Sequence, residues 1–437
     1  MTNKLNRRTF TKTTAALGLS ATTLPAASAA RVVGSNERIR LGFIGVANRG
    51  GQLLDAFLTH DDAQVVALCD IDSETLAKRR QKIKGDVRLY HDFRKLIDNK
   101  DIDAVVIATP DHWHAIMTVT ACDAKKDVYV EKPLSVTVHE GRRMVAAARR
   151  NQRVVQVGTH RRSSPLYAAL AKRTLAGDFG KICVSRAYRL SNMYPDGIGR
   201  MKPETPPKNL DWDLWLGPRP RRPYQANIAP YKFRWWHLYS SQMGNWGVHY
   251  LDAIRWCTGE LAPSSVCAMG GRFVVDDDRT IPDTMEVTFE FASGRLAIFG
   301  QYESSGNPTF PFGEIELRGT QGTVYSATTG YQVVPERGGQ FQDRAPRMKA
   351  EEVKDPGGNK GLTALHARNF LDCMRSREKP NADVEIGHRS TSLSLIANVS
   401  LAVGERLQWD PEHERFLNSE SANGLLHYEY RKPWKLA

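Results

Sequence analysis

Cysteine is sparse in this 437-residue chain, and its six residues (Cys69, Cys122, Cys183, Cys257, Cys267, Cys373) stand far apart inside apolar runs. No C-x-x-C pair or zinc-type spacing occurs, which removes redox-motif and zinc-ribbon readings and predicts buried free thiols. No internal repeat is present, so solenoid and propeller architectures are excluded. The formal charge is +13, from 61 Lys and Arg against 48 Asp and Glu. The arginine pairs (Arg149-Arg150, Arg161-Arg162, Arg221-Arg222) are nevertheless scattered and lack interleaved stacking aromatics. No nucleic-acid partner is therefore expected. With 41% hydrophobic and 25% charged residues, the chain is long enough for two or three compact domains.

Acids are missing from residues 1–29, which carry Lys4, Arg7, Arg8 and Lys12 ahead of a small-apolar stretch from Ala15 to Leu24. That stretch is too short to span a bilayer. No cysteine precedes Cys69, so no lipid attachment and no stable membrane anchor are expected at that end. Asn6-Arg7-Arg8-Thr9-Phe10-Thr11-Lys12 resembles a twin-arginine export motif, and Ala27-Ser28-Ala29 offers an A-x-A cleavage site. Residues 1–29 thus read as an address for the twin-arginine export machinery, and the remainder as a periplasmic or otherwise exported protein. Removing them leaves 61 minus 4 cations against 48 acids, a net +9.

From Arg38 short apolar runs alternate with amphipathic stretches, the pattern of βαβ units in a parallel sheet. Strands are predicted at 39–44, 64–69, 104–108, 128–130 and 154–157. Thr137-Val138-His139-Glu140 reads as a capping box opening a helix. After residue 160 the period becomes two, as in Met285, Val287, Phe289 and Phe291, then Leu296 and Ile298 across an Ala-Ser-Gly turn. Ile315, Leu317 and Val324 predict a second hairpin. The fold class is α/β: a Rossmann domain over 30–160, then an α/β domain over 161–437 with an open, mainly antiparallel sheet and helices at 244–256 and 363–375. Residues 337–361 are predicted to form an exposed loop.

Gly45-Val46-Ala47-Asn48-Arg49-Gly50 follows a strand and opens a helix, the context that gives a glycine-rich turn its meaning. Gly45 suits the tight turn and Gly50 close helix–strand packing, and the helix N-terminus attracts a pyrophosphate. Ala47 stands where a second glycine is usual. Asp70 ends the second strand 25 residues after Gly45, near the offset of about 20 expected for a carboxylate on the adenosine ribose. A carboxylate there repels a 2′-phosphate, which favours NAD over NADP, although Arg79 and Arg80 follow on the next helix. Asp72 is the neighbour that could substitute, or else a solvated turn residue. An exported protein meets no nicotinamide pool, so its dinucleotide has to stay bound and be returned to its starting redox state on the enzyme.

Thr109-Pro110-Asp111-His112-Trp113-His114 after the fourth strand and Glu131-Lys132-Pro133 after the fifth, together with this fingerprint, resemble the Gfo/Idh/MocA oxidoreductase family. The resemblance runs on through Val157-Gly158-Thr159-His160-Arg161-Arg162-Ser163, Gly247-Val248-His249-Tyr250-Leu251-Asp252 and Lys379-Pro380-Asn381-Ala382-Asp383. It implies an active site between the two domains and an oligomer contact on the open sheet, hence a homo-oligomer. It places the cofactor against Gly45, Ala47, Asn48, Arg49, Gly50, Asp70, Thr109, Pro110, His114, Glu131 and Lys132. The catalytic pair it implies is Lys132 and His249. Asn245 occupies the position of the family's usual aspartate, four residues before His249, so the carboxylate of the usual proton relay is missing. Asp252, three residues after His249, lies on the same helix face and is expected to orient the imidazole.

His112 and His114, two apart with no third ligand, do not predict a metal site. Tyr194, Trp235 and Trp236, with flat faces and polar edges, are candidates for a sugar ring beside Lys132, His160, Asn245 and His249, or else members of an aromatic core. Three functions stay open at this point. The first is oxidation of a secondary alcohol of a sugar or glycoside, the hydride going to bound NAD and then to a second carbonyl compound. The second is an NAD-dependent glycoside hydrolase that oxidises transiently, removes the acidified C–H proton, eliminates the glycosidic group and returns the hydride. The third is a non-catalytic, nucleotide-bound sugar-binding protein.

Overall fold

The computed structural model describes residues 38–436 except 356, 359 and 360. The export segment expected at 1–29 lies outside the described residues. Five largely apolar runs, β1 (Ile39–Ile44), β2 (Ala63–Cys69), β4 (Ala104–Ile107), β5 (Asp127–Val130) and β6 (Val155–Val157), form a parallel sheet with β3 (Arg88–Tyr90), a short exposed edge strand that the sequence pattern does not signal. Its order is β3-β2-β1-β4-β5-β6. Every residue of β4, β5 and β6 is buried, which is why these segments do not alternate. The order reverses between β1 and β4, and ligands bind outside the carboxyl ends of strands at such a point. The capping box closes as expected: Glu140 N–H donates to Thr137 Oγ1 (3.3 Å) and Thr137 N–H to Glu140 Oε2 (3.2 Å).

The second sheet contains β7 (Ile182–Asn192), β8 (Pro263–Gly271), β9 (Thr284–Phe291), β10 (Leu296–Tyr302), β11 (Ser304–Ser305), β12 (Ile315–Gly319), β13 (Gly322–Ala327), β14 (Gly330–Pro335), β15 (Glu351–Lys354), β16 (Leu407–Asp410) and β17 (Arg415–Phe416). Its order is β15-β14-β13-β12-β7-β10-β9-β8-β16-β17, with β11 against β7. It is mainly antiparallel, β7 and β10 pairing in parallel. Met285, Val287, Phe289 and Phe291 point inward onto Tyr250 and Ile254 of helix Val248–Thr258 and Leu393 and Ile396 of helix Val384–Val403.

Two expectations are corrected here. The segment 337–361 contains β15, whose residues pair with β14 from Gly330↔Lys354 to Val333↔Glu351; its sequence Glu-Glu-Val-Lys holds one apolar residue, too little to signal an edge strand. Cys183 is exposed and Cys267 half-buried, while the other four thiols are buried, because both lie on strands whose outward side faces solvent.

The first core is completed from far along the chain. Phe370 of helix Leu362–Ser376 packs edge-on against Phe57 (6.3 Å) and Tyr129 (6.0 Å), and Trp434 against Trp113 (4.7 Å). Residues 193–242 form an excursion with an aromatic cluster of its own, including Trp215, Tyr224, Phe233, Trp236 and Tyr239. This excursion docks back on the first sheet: Ser73 N–H donates to the Asn209 carbonyl (3.0 Å), Asp211 N–H to the Ile71 carbonyl (3.2 Å), and the Trp113 indole to the Leu214 carbonyl (3.1 Å).

Candidate active site

Two cavities meet at the carboxyl ends of β1 and β4, sharing Asn48, Arg49, Ala108, Thr109, Tyr231 and Arg234. The first is a groove with Gly45, Ala47, Asp70 and Pro110 on its floor and Leu210, Leu214, Trp215, Tyr231 and Phe233 as its roof. Its floor fits a dinucleotide. Gly45 has φ +79° and no room for a Cβ, which would sit 2.8 Å from the Ala108 carbonyl oxygen. Helix Asn48–Phe57 begins without a side-chain cap, so its first N–H groups are left for an anion. Gly50 does its work in packing, since a Cβ there would lie 1.9 Å from the Gly45 oxygen.

Asp70 lines the groove while accepting from Val46 N–H (2.8 Å) and Asp72 N–H (3.0 Å). Burial pushes its carboxyl up, against the pull of these backbone donors, and its remaining lone pairs are available to ribose hydroxyls. Asp72 caps helix Ser73–Arg80 through Glu74 and Thr75 N–H. Arg79 binds the Val46 and Ala47 carbonyls (2.8 and 2.9 Å) and Arg80 the Ile83 and Gly85 carbonyls (2.8 and 2.7 Å). Both guanidiniums are committed to backbone oxygens, an arrangement for NAD rather than NADP.

The second cavity holds Lys132, Asn245, His249, His160 and Glu131, with Asp111, Arg161, Arg189, Trp246 and Glu314. A π-helical turn, Met243–Gly247, presents Asn245 to Lys132, whose Nζ donates to the Asn245 carbonyl (2.8 Å) and Oδ1 (2.9 Å). Two of its three N–H groups are thus engaged, on a residue that lines the cavity. Burial lowers the Lys132 ammonium from 10.5 to about 8, with Glu131 and Asp111 opposing and Arg234 and Arg49 reinforcing. Glu131 is held by Arg49 (2.8 Å) in the space left by Gly158, where a Cβ would meet its Oε1 at 2.7 Å. His249 and His160 stand ring to ring at 5.5 Å. Burial first and neighbouring cations second push His249 well below its ordinary range and His160 to about 3, so both rings are uncharged near neutral pH.

Four sequence expectations are corrected. Asp252 does not orient His249: it is bound by Arg162 (2.9 Å) and the Ser390 hydroxyl (2.6 Å), an ion pair buried away from the cavity. His114 does not line the groove; its nitrogens face the Pro133 and Thr109 carbonyls (2.8 and 3.0 Å) and tie together the loops after β4 and β5. Trp235 and Trp236 are not on the cavity wall, since their indoles donate to Glu303 (3.0 Å) and the Asn227 carbonyl (2.8 Å). Tyr194 is exposed at the end of β7, outside both cavities. The aromatic residues present are Trp246 and Tyr231, which sequence reasoning missed along with Asp111, Arg161, Arg189, Arg234 and Glu314. Of these, Asp111 and Arg161 lie inside the family-like motifs TPDHWH and VGTHRRS; Asp111 is buried against the Ser240 hydroxyl.

This combination of fold and site agrees with two family models: an oxidoreductase family with an NAD-binding Rossmann fold over residues 39–159, and its C-terminal alpha/beta domain over 170–436. The chain belongs to the Gfo/Idh/MocA oxidoreductase family. A glycosyl hydrolase family 109 protein of Shewanella pealeana is 33% identical over 177 residues, covering 34% of this chain and 38% of that protein. An inositol 2-dehydrogenase of Salmonella typhimurium is 32% identical over 145 residues, covering 33% of this chain and 43% of that protein. The chain thus matches about two fifths of the length of these relatives. Among solved structures, a levoglucosan dehydrogenase in complex with NADH and levoglucosan superposes with a TM-score of 0.66 at 20% identity, over 85% of this chain and 99% of that one. An aldose-aldose oxidoreductase from Caulobacter crescentus gives 0.62 at 19% identity, over the same shares of each chain. These two likenesses speak to the fold.

Proposed function

We propose that the protein is an exported NAD-dependent oxidoreductase that oxidises a secondary alcohol of a sugar or glycoside and keeps its cofactor bound throughout. The observation that carries this reading is Lys132, a half-buried lysine on the wall of a polar cavity that adjoins a dinucleotide groove. NAD, when bound, accepts and returns a hydride. The chain's own residues handle the proton: neutral Lys132 takes it from the substrate hydroxyl, and His249 receives or relays it. Trp246 and Tyr231, each with an arginine over its ring, give the cavity wall aromatic and cationic groups suited to a polyhydroxylated ligand such as the sugars named for levoglucosan dehydrogenase and aldose-aldose oxidoreductase.

A second reading is redox-assisted glycoside cleavage, which shares the first oxidation step at Lys132. Similarity to the glycosyl hydrolase family 109 protein supports it. Incubating the purified protein with a panel of glycosides and weighing the products separates the two: a keto-glycoside means oxidation, a free aglycone means cleavage. Neither product from any glycoside would turn the case toward a binding protein.

Tight retention of NAD is supported by the roof over the groove, which Asn209, Asp211 and Leu214 hold to the first sheet. Denaturing the purified protein is expected to release about one dinucleotide per chain, and active protein without it refutes retention. Asp70→Ala is expected to lower the preference for NAD over NADP, measured as the ratio of the two apparent affinities after cofactor exchange. Export is tested with Arg7→Lys and Arg8→Lys together, which should leave the protein in the cytoplasm. Homo-oligomerisation through the outer face of the second sheet is tested by light scattering of the purified protein.

A further inference from the structure

Asn245 supplies Lys132 with an amide oxygen but no charge, yet a carboxylate stands two hydrogen bonds behind it. The Asn245 amide nitrogen donates to Gln242 Oε1 (3.1 Å), and the Gln242 amide nitrogen donates to Glu303 Oε1 (2.8 Å). The lysine ammonium only donates and a carboxylate only accepts, so the two ends of the series fix the orientation of both amides. Gln242 and Glu303 are each 3% exposed and Asn245 is 9% exposed, so water does not compete for these bonds. Such aligned series polarise one another in a low-dielectric interior.

We propose that Glu303 is a positioning residue for Lys132, its carboxylate acting through the side-chain amides of Gln242 and Asn245 to set the lysine's proton affinity. The charge is there to be transmitted: Arg279 is shared between Asp277 and Glu303, so one cation against two anions leaves this buried cluster a net −1. The Trp235 indole also donates to Glu303, which gives this tryptophan a role behind the site. Asp283, next to Glu303 through its backbone, spends its carboxylate on the N–H groups of Phe273, Val274 and Val275. The other groups that bear on Lys132 are Glu131, Asp111, Arg234, Arg49 and His249, and none of them belongs to the amide series.

The inference rests on the reading of Lys132 as the base, but its test does not need turnover. Brief acetylation of the intact holoprotein from neutral to alkaline pH, followed by peptide mass spectrometry, reads the fraction of Lys132 that is neutral. In the parent protein its midpoint is expected near about 8. Gln242→Leu cuts the series and should move the midpoint to lower pH by about half a unit or more, because the ammonium loses stabilisation. Glu303→Gln, which keeps the shape and removes the charge, should move it the same way, and it serves if Gln242→Leu does not fold. Asn245→Asp places an anion directly on Lys132 and should raise the midpoint. Adding Gln242→Leu to that variant should then change little. Either of two results overturns the proposal: a parental midpoint in a folded Gln242→Leu or Glu303→Gln protein, or an equal shift from Gln242→Leu with and without Asn245→Asp. Failure of the base assignment itself shows separately, as full turnover in Lys132→Ala.

Discussion

Replacing Lys132 with alanine is expected to slow reduction of bound NAD⁺ by substrate by about three orders of magnitude, within the range of about 10²–10⁴ contributed by a positioned proton-transfer group. The cofactor should stay in place, because the groove floor and roof do not depend on this side chain. Single-turnover reduction followed at the nicotinamide absorbance measures both the rate and the bound fraction, and a near-parental rate removes the lysine from the mechanism. In the parent protein the rate should rise with pH through about 8, where burial leaves Lys132 uncharged. The same displacement has a stability counterpart with a definite sign. The folded state binds fewer protons at Lys132 than the unfolded chain between about 8 and 10.5, so this residue's contribution to stability increases with pH across that window. His249→Ala should be impaired less than Lys132→Ala, since a relay has alternatives in His160 and water.

Arg279→Leu is expected to have the largest effect on folding among single substitutions outside the hydrophobic core. Its side chain is fully buried and bound to Asp277 through Nε (2.8 Å) and to Glu303. Removing it leaves two carboxylates in the interior with no cation between them, a change that costs about 3–5 kcal/mol. The midpoint of denaturant unfolding should fall accordingly. A loss below about 1 kcal/mol would be typical of a surface substitution and would mean that the cluster relaxes onto water or other donors.

The Rossmann half was legible because its signals are local. The strand runs, the Gly45 turn, the Thr137 capping box and the spacing from Gly45 to Asp70 are each contained within about 25 residues of chain. The partnership of Lys132 with Asn245 was accessible only through resemblance, 113 residues apart. The misplaced residues share one physical cause. Asp252 and His249 do lie on neighbouring turns of one helix, but spacing along a helix says nothing of Arg162, whose charge claims the carboxylate. Trp235 and Trp236 have the right chemistry for a sugar, and their indole N–H groups are satisfied inward by partners 68 and 9 residues away. Arg189 and Trp246, which meet at 3.8 Å on the cavity wall, come from a strand and a π-helical turn that no sequence period connects.

The contribution of Phe370 and Trp434 to the first hydrophobic core has a consequence for how the protein comes into being. A ribosome delivers the six parallel strands early, yet Phe57 and Tyr129 stay uncovered on one side until helix Leu362–Ser376 has been made, and Trp113 until residue 434. Order of synthesis and order of burial therefore run against each other. A fragment ending near residue 160 would show solvent an aromatic face that the whole chain conceals, and would tend to aggregate rather than stand as an independent module. Contacts of such long sequence separation also make for slow folding, so the dinucleotide groove reaches its final form only when the chain is nearly complete.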